Sequence, residues 1–455
     1  MASINHALAL VKHDPHSLFD PETVGAACRD ANHRWRRRTL DPVRTLTAFA
    51  LQVLHGNTAI AHVAQLMGGG FGESAYCQAR ARLPVAVLSS LLESTTARAL
   101  AEAGRDGLWR GHRTVLMDGF VVSTPDTPAL REAFGVRGGA PPAADLPMVH
   151  TLARFDAPSG LVLGLHAAPA RTHDARHAHR LHPELRPGDV VVGDRGFCAY
   201  TPLATLAAAG CHGVFRMSER RAMPFPAKAG PRTRRAYNRH RRSEPVLVEL
   251  ISEDDQVVEI VKPSNRGTSL TPGEFACIPA RLIVRALRYT VRGPGVRTRR
   301  ITLLTTLTDA SRYPANEIAE LYRTRWRVEQ NIRHLKRTMG MHRLKCRSVE
   351  GIAREMMMFA IIYNAACRVR ALAARARGAP ASRLSFVDAL RALAISAARL
   401  AHRPEGPGVE LRLWPPRSPR THPRQLRRPH SNYTLMTRPR SEVIRRSLHR
   451  QAQAN

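Results

Sequence analysis

Apolar residues near the start of the chain recur three and four positions apart, the spacing of a helix with one buried face. In residues 43–67 this spacing is interrupted at His55-Gly56-Asn57, which predicts two helices joined by a turn. The stretch 74–100 continues helically and carries Arg80 and Arg82, which we expect to be exposed. Such a pattern is typical of a helix-turn-helix-like DNA-binding region, and an ordinary helical bundle explains it equally well.

From about residue 113 the pattern changes to short apolar, β-branched runs bounded by Gly, Pro or Asp, which predict strands. Two of these runs contain almost only Val, Leu and Met up to a single Asp, as expected of central strands buried on both faces. A helical pattern at 202–210 precedes the last run, so the predicted fold class is α/β. The predicted strands are 114–122, 150–156, 161–168, 189–196 and 211–217.

A Pro- and Arg-rich stretch at 219–242 interrupts this order and is followed by alternating strand patterns, with Asp254-Asp255 predicted as a hairpin turn. Helical spacing returns at 314–339 and in a strongly apolar segment at 351–376. Beyond about 403, Pro, Arg and His dominate, which predicts a weakly structured tail that binds polyanions. The strand patterns of this block are 245–262, 281–292 and 298–307.

These changes divide the chain into five predicted parts. A helical N-terminal DNA-binding region comes first, and an α/β core follows in two pieces separated by a β-rich insertion. A helical and then basic tail ends the chain. In that order the boundaries are 1–108, 109–217, 218–307, 308–376 and 377–455.

Charge indicates the class of partner. The chain has 70 Lys and Arg against 36 Asp and Glu, a net charge of +34, and a protein this basic binds polyanions. Nucleic acid is favoured over a membrane, because no apolar run approaches the roughly 20 residues of a spanning helix and no signal segment is apparent. Seven scattered Cys without a C-x-x-C pair indicate a reduced, cytoplasmic protein without a zinc ribbon.

The segment 314–339 combines a predicted core-facing stripe with a line of polar side chains. On a regular helix, which advances about 100° per residue, five polar residues share an arc of about 80°. Trp326 falls beside this line, where packing is favoured over stacking on nucleic acid. A charged surface face without function explains the line alone at least as well. Its members are Tyr322, Arg325, Glu329, Arg333 and Lys336.

Two further acids make a functional interpretation stronger. Asp118 follows the apolar run TVLM, and Asp194 ends the run DVVVG. An acid that ends a buried strand needs a partner or a metal, although each Asp alone could equally serve a turn. Together with Glu329 they offer the oxygen ligands that Mg²⁺ prefers. Two such ions can activate a water or a 3′-hydroxyl against a phosphodiester.

These residues resemble the Y-R-E-K signature of the insertion-sequence-4 family of bacterial DDE transposases. Asp118 in M-D-G and Asp194 in D-R-G-F stand in the matching order. LQVLHGN, GMHRLKCRS and YNAACR are also similar, so the resemblance covers roughly residues 40–375. The signature itself is Tyr322-x2-Arg325-x3-Glu329-x6-Lys336.

The resemblance implies a ribonuclease-H-like catalytic core interrupted by the β-rich insertion. Asp118, Asp194 and Glu329 would be catalytic and would hold two Mg²⁺ ions, for which Mn²⁺ can substitute. The residues implied to contact DNA are Tyr322, Arg325, Arg333 and Lys336.

The implied function is cut-and-paste transposition: metal-dependent cleavage at transposon ends and strand transfer into target DNA. Double-stranded DNA would be the partner, with the protein a dimer when bound, in the cytoplasm at the bacterial nucleoid. Two alternatives remain, a ribonuclease-H-type nuclease without strand transfer and an inactive basic DNA-binding protein whose carboxylates are structural.

Three other motifs are interpreted structurally. THDARHAHRLH at 172–182 has four His but no convincing fourth zinc ligand, and is expected to be a surface helix or loop. GGGFG at 68–72 is not followed by Lys-Ser/Thr and is expected to be a loop, not a phosphate cradle. Cys198 is expected to be a small buried residue and not a nucleophile.

The net charge predicts that phosphate contacts dominate DNA affinity. The logarithm of the association constant should fall by about 0.9 per logarithmic unit of salt for each phosphate contact. Deleting the residues after about 403 should weaken binding to all sequences alike. Fluorescence anisotropy between about 50 and 200 mM salt measures both effects. Affinity that does not change with salt would contradict this prediction.

Overall fold

The computed structural model describes most of the chain in nine stretches. Within the Arg-rich stretch 219–242 only 223–227 are described, and the basic tail beyond 402 lies outside the described residues. By their contacts the described residues form one large unit and a small one within Thr290–Arg300. The described stretches are 19–36, 38–103, 107–136, 146–174, 178–218, 223–227, 245–265, 270–293 and 296–402.

The N-terminal region is helical, as the apolar spacing predicts. The pair predicted at 43–67 is present, and its helices are separated by a turn in which Gly56 and Asn57 have positive φ. Aspartate side chains cap the first two helices, and a proline follows each cap at the first helical position. The helices are α1 (Pro21–Asp30), α2 (Pro42–Leu54), α3 (Ile60–Leu66), α4 (Glu73–Arg82) and α5 (Val85–Ala103).

One expectation for this region is wrong. Arg82 is exposed as predicted, but Arg80 is turned inward. Its guanidinium lies 4.7 Å from the ring centroid of Phe49 and donates a hydrogen bond of 2.7 Å to Gln52 Oε1. Arg80 therefore stabilises the helical region and is not a surface contact.

A nine-stranded sheet forms the centre of the protein, in the order β3-β2-β1-β4-β5-β9-β8-β7-β6. β1, β4 and β5 run parallel to one another, and β2 and β3 are antiparallel. The predicted α/β class is confirmed as a mixed α/β fold with one large sheet. The first strands are β1 (Thr114–Ser123), β2 (Met148–Asp156), β3 (Val162–Pro169), β4 (Val190–Gly193) and β5 (His212–Arg216).

The later strands extend this sheet. β9 pairs antiparallel with β5, with Val214 opposite Thr305. The predicted turn at Asp254-Asp255 does join two strands, and Asp255 points inward to form a buried ion pair with Arg285. These strands are β6 (Val246–Ser252), β7 (Asp255–Val261), β8 (Arg281–Gly293) and β9 (Val296–Thr305).

Helices and 3-10 turns cover both faces of the sheet. The helices that follow α5 are α6 (Pro128–Phe134), α7 (Tyr200–Ala208), α8 (Pro272–Cys277), α9 (Ala315–Arg323), α10 (Trp326–Arg333), α11 (Val349–Ala376) and α12 (Phe386–His402). Leu116 and Phe120 of β1 belong to the larger core, and Val115 and Met117 belong to a smaller core. The central strands are thus buried on both faces, as their composition predicts.

The segment 314–339 is not one regular helix. Around residue 325 the backbone tightens, since Thr324 N bonds to Leu321 O and Val328 N bonds to Arg325 O, three residues back. At its end a π-helical turn, His334–Thr338, widens it again. The uniform angular spacing assumed from the sequence therefore does not hold along this segment.

The helix α11 is the longest buried element of the described fold, with 28 residues. By length and composition it could cross a membrane, contrary to the expectation that no such run exists. However, 67% of its most apolar window is buried inside the protein. It packs against α5 and α12 as a core helix.

A buried carboxylate joins α11 to the N-terminal helices. Glu355 is fully buried and accepts a hydrogen bond of 2.6 Å from Asn57 Nδ2, in the turn after α2. It also accepts bonds from the backbone N–H groups of Lys345 and Cys346, at 2.9 and 2.8 Å. Two segments far apart in the sequence thus meet at one charge.

Replacing Glu355 by Gln should destabilise the fold, because the amide group cannot accept all of these bonds. Hydrogen bonds to a buried charge are strong, so we expect the free energy of unfolding to fall by about 2–4 kcal/mol. Glu93→Gln, at an exposed position of α5, should change it by less than about 0.5 kcal/mol. Urea unfolding compares the two. Equal midpoints would show that Glu355 does not hold this junction.

Candidate active site

The parallel pairing of β1 with β4 brings two predicted acids together. The pairs run from Thr114↔Val190 to Met117↔Gly193, so the residues that follow the last pair are Asp118 after β1's Met117 and Asp194 after β4's Gly193. β4 ends there, whereas β1 continues to Ser123 beside β2. The expectation that Asp118 ends its strand is therefore wrong. Asp118 lies within β1, at the point where the neighbouring strand β4 stops.

The face of the sheet on which Asp118 lies follows from strand geometry. Leu116 and Phe120 point into the larger core, and alternate residues share a face, so Asp118 points the same way. The helix α10 packs against β1. Asp118 thus faces the segment that carries the predicted basic residues.

Arg325 lies among the three predicted acids. Its Nη2 donates a hydrogen bond of 2.9 Å to Glu329 Oε1, and its Nη1 is 4.0 Å from Asp118 Oδ2. Burial acts to lower the pKa of Arg325, but Tyr322, Glu329 and Asp194 together raise it above its usual value. The structure therefore brings Asp118 and Glu329 to one guanidinium, and the charge of Asp194 also acts on it.

The electrostatic environment of Asp118 is unfavourable for a negative charge. Burial raises the pKa of its carboxyl to about 6, and the charges of Asp174 and Asp194 act in the same direction. A hydrogen bond of 2.9 Å from the N–H of Gly119 and the charge of Arg325 oppose this rise. A further cation near Asp118 would favour the ionised carboxyl.

The predicted DNA contacts differ in accessibility. Tyr322 is buried, and burial raises its pKa, so it does not belong to an exposed line. Arg333 is exposed. Lys336 is half-buried, with its Nζ 5.7 Å from the ring centroid of Phe120, on the same face of β1 as Asp118. Trp326 is 51% exposed, so about half of its surface is packed and the other half is open to solvent.

Metal ligands are not gathered in a complete set in this conformation. In the part of the chain that the structure describes, no group of three His, Cys, Asp or Glu side chains is arranged to hold an ion. Glu329 is half exposed and bonds to Arg325. His177 of the histidine-rich segment lies outside the described residues, and residues Ala178–Glu184 form a 3-10 helix.

Two polar residues beside the site were missed by the sequence interpretation. His150 Nε2 is 2.6 Å from Asp174 Oδ1. A Cβ atom on Gly119 would lie 1.9 Å from Asp174 Oδ1, and one on Gly196 would lie 3.9 Å from Asp174 Oδ2. Asp174 thus lies against Gly119, which follows Asp118, and near Gly196, two residues after Asp194. The pattern of residues 172–182 indicates only a surface helix or loop, so Gly119 and Gly196 alone indicate that a side chain approaches here.

Comparisons with known proteins show the family to which the chain is similar. Residues 109–365 match the family model described as a transposase DDE domain. The chain is 27% identical over 293 residues to the transposase InsG for insertion sequence element IS4 of Escherichia coli strain K12, covering 64% of this chain and 59% of that protein. It is 28% identical over 140 residues to the putative transposase InsZ of the same organism, covering 30% and 47%.

The chain spans only about half of the length of these two relatives, 59% of InsG and 47% of InsZ. Among solved structures, the chain is similar to the piggyBac transposase synaptic complex with hairpin DNA, with a TM-score of 0.42 and 9% identity. That likeness covers 85% of this chain and 80% of the other.

The close approach of Asp174 to Gly119 predicts that a methyl group cannot be added there. Gly119→Ala should lower the free energy of unfolding by about 1–3 kcal/mol, because the new Cβ overlaps the Asp174 carboxylate. Gly72→Ala is the matched control, since its Cβ would meet nothing within 4 Å and its φ is −88°. Urea unfolding of both variants tests this, and equal stability would place Asp174 elsewhere.

Proposed function

The chain belongs to the transposase DDE domain family, and on that premise we propose that it cleaves DNA at transposon ends and transfers the cleaved strands into target DNA. One observation carries the proposal. Arg325 lies 4.0 Å from Asp118 and donates to Glu329 at 2.9 Å, so these two acids share one cation, and the β1–β4 register sets Asp194 beside Asp118. Neighbouring carboxylates of this kind would supply the oxygen ligands for metal ions that act on a phosphodiester.

Transposase DDE domains use divalent metal ions, and we propose Mg²⁺, as two ions, with Mn²⁺ as a substitute. Asp118, Asp194 and Glu329 would hold them. When bound, such ions polarise the phosphodiester and stabilise charge on its attacking and leaving oxygens. The donors are carboxylate oxygens, which suit a hard cation, and Asp118 already has two acidic neighbours. Glu329 would exchange Arg325 for the metal.

Arg325 would then exchange its hydrogen bond to Glu329 for one to a DNA phosphate. A guanidinium presents paired donors that match a phosphate, and it keeps its charge when half-buried. Lys336 would hold a second phosphate. Its Nζ lies near the ring of Phe120, on the face of β1 that also carries Asp118. Arg333 is exposed and would contact DNA further along. Tyr322 is buried beside Arg325, so it would orient that side chain as much as contact DNA.

The wider architecture supports a ribonuclease-H-like core formed by 109–217 and 308–376. Three antiparallel strands followed by two parallel ones, β3-β2-β1-β4-β5, bring both aspartates to one place. We further propose that 218–307 is the insertion of the family, that 1–108 recognises the transposon end and that the part from 377 adds basic contacts. The partner would be double-stranded DNA, bound by a dimer because a transposon has two ends, in the cytoplasm at the nucleoid.

Glu329→Gln tests the chemistry. The amide keeps size and polarity but removes the charge that a metal needs, so Mg²⁺-dependent cleavage of end DNA should be lost. Binding to end DNA should remain within a few-fold of wild type. The assay resolves cleaved from joined products on a gel, because a nuclease without strand transfer gives cleaved products alone. Cleavage by Glu329→Gln would overturn the assignment.

Arg325→Ala and Arg327→Ala separate positioning from general charge. A charge-assisted contact contributes about 1.5–3 kcal/mol, so Arg325→Ala should weaken end binding roughly tenfold to 100-fold. Arg327 is exposed and bonds to Ala157 O at 3.4 Å, on another side of the helix. Its replacement removes the same charge and should change binding much less. Equal losses would mean that Arg325 has no special position.

A further inference from the structure

A basic groove lies on the N-terminal helices, and none of the predicted catalytic residues lines it. It is formed by the segment before α2 and by the end of α4, and has a volume of about 300 Å³. The residues that line it include no Asp or Glu. We call it the Trp35 groove; its main polar and aromatic members are His33, Arg34, Trp35, Arg36, Arg38 and Arg82.

An aromatic pair forms one wall of the Trp35 groove. The rings of His33 and Trp35 are stacked, with centroids 6.1 Å apart and an interplanar angle of 17°. Trp35 is nevertheless 41% exposed, although a tryptophan usually buries most of its surface. Burial and the charge of Arg82 lower the pKa of His33, so at neutral pH the histidine is an uncharged support for the indole.

The arginines of the groove are not neutralised by neighbouring acids. Within the described stretches, none of the four forms an ion pair, whereas Arg98, on the nearby helix α5, pairs with Glu102. Arg34, Arg36 and Arg38 are exposed and lie on alternate residues of one segment, and all three line the groove together with Trp35. The groove therefore combines uncompensated positive charge with an open aromatic face.

We propose that the Trp35 groove binds an unpaired strand of DNA, with phosphates on the arginines and one base stacked on Trp35. A volume of about 300 Å³ is at the lower end of ligand pockets and suits one nucleotide rather than a duplex. Exposed aromatic rings flanked by basic residues are how proteins hold single strands without reading sequence. The inference rests on the proposed function only in taking DNA as the substrate.

The test uses the full chain and a labelled oligothymidylate of about 12 nucleotides, a length within the usual site sizes of such proteins. Trp35→Ala should weaken its binding roughly fivefold to 100-fold, the range for one stacked base. Binding to a duplex of equal length should change less than about twofold, and Trp35→Phe should retain most of the affinity, because it keeps an aromatic face. Urea midpoints equal to wild type confirm that each variant is folded.

Charge in the groove is tested in the same assay. Arg36→Ala should reduce the salt slope for oligothymidylate by about 0.7, the value for one phosphate contact of a single strand. Arg98→Ala is the matched control, because its guanidinium is already paired with Glu102, and it should leave the slope unchanged.

Three outcomes would overturn the inference. Trp35→Ala could bind oligothymidylate as wild type does, could lose duplex and single strand equally, or could lose an oligouridylate RNA that wild type prefers to the DNA.

Failure of the proposed function is distinguishable from failure of this inference. A chain that never cleaves DNA but holds oligothymidylate through Trp35 supports the groove and rejects the transposase, and cleavage with normal binding by Trp35→Ala gives the reverse.

Discussion

The parallel register between β1 and β4 is the constraint on which the candidate site depends. It ends at Met117 opposite Gly193, which sets Asp118 and Asp194 side by side. A slip of one residue would turn every side chain of a strand to its other face. Asp118 would then point toward the smaller core that holds Val115 and Met117. Because β4 has four residues, it also leaves Asp118 uncovered on one side, where α10 can approach.

Once two carboxylates lie together, the surrounding charges follow from electrostatics. Partly buried like charges repel, which is why neighbouring acids help to raise the pKa of Asp118. Arg325 offsets this repulsion and also holds Glu329. The single acid of this basic helix, Glu329, is thus paired with Arg325, which also approaches Asp118. In the proposed function Glu329 would join Asp118 and Asp194, and the bases around it would face a polyanion.

The local elements could be predicted because they depend on spacing along the chain. The helical pair broken at Gly56, the buried β1 and β4 strands and the turn before Asp255 all follow from periodicity and turn residues. The family was recognisable for the same reason, since its signature is a spacing of residues. Whether each signature residue binds metal or DNA remains a prediction.

Features set by tertiary contacts could not be predicted in this way. Assuming a regular helix placed Tyr322 in an exposed line, but the backbone tightens at residue 325 and the phenol is buried. Arg80 finds Gln52 and Phe49 only in the folded chain.

The same dependence on tertiary contacts explains why distant motifs belong together. Ser123, at the end of the strand that carries Asp118, exchanges backbone hydrogen bonds with His342 and Leu344. The next residue, Lys345, donates to Glu355, which also binds Asn57 of the N-terminal turn. A buried carboxylate is stable only while these bonds persist. Moving the N-terminal helices relative to β1 would break these bonds, so in the proposed function DNA bound by those helices would keep its position relative to Asp118.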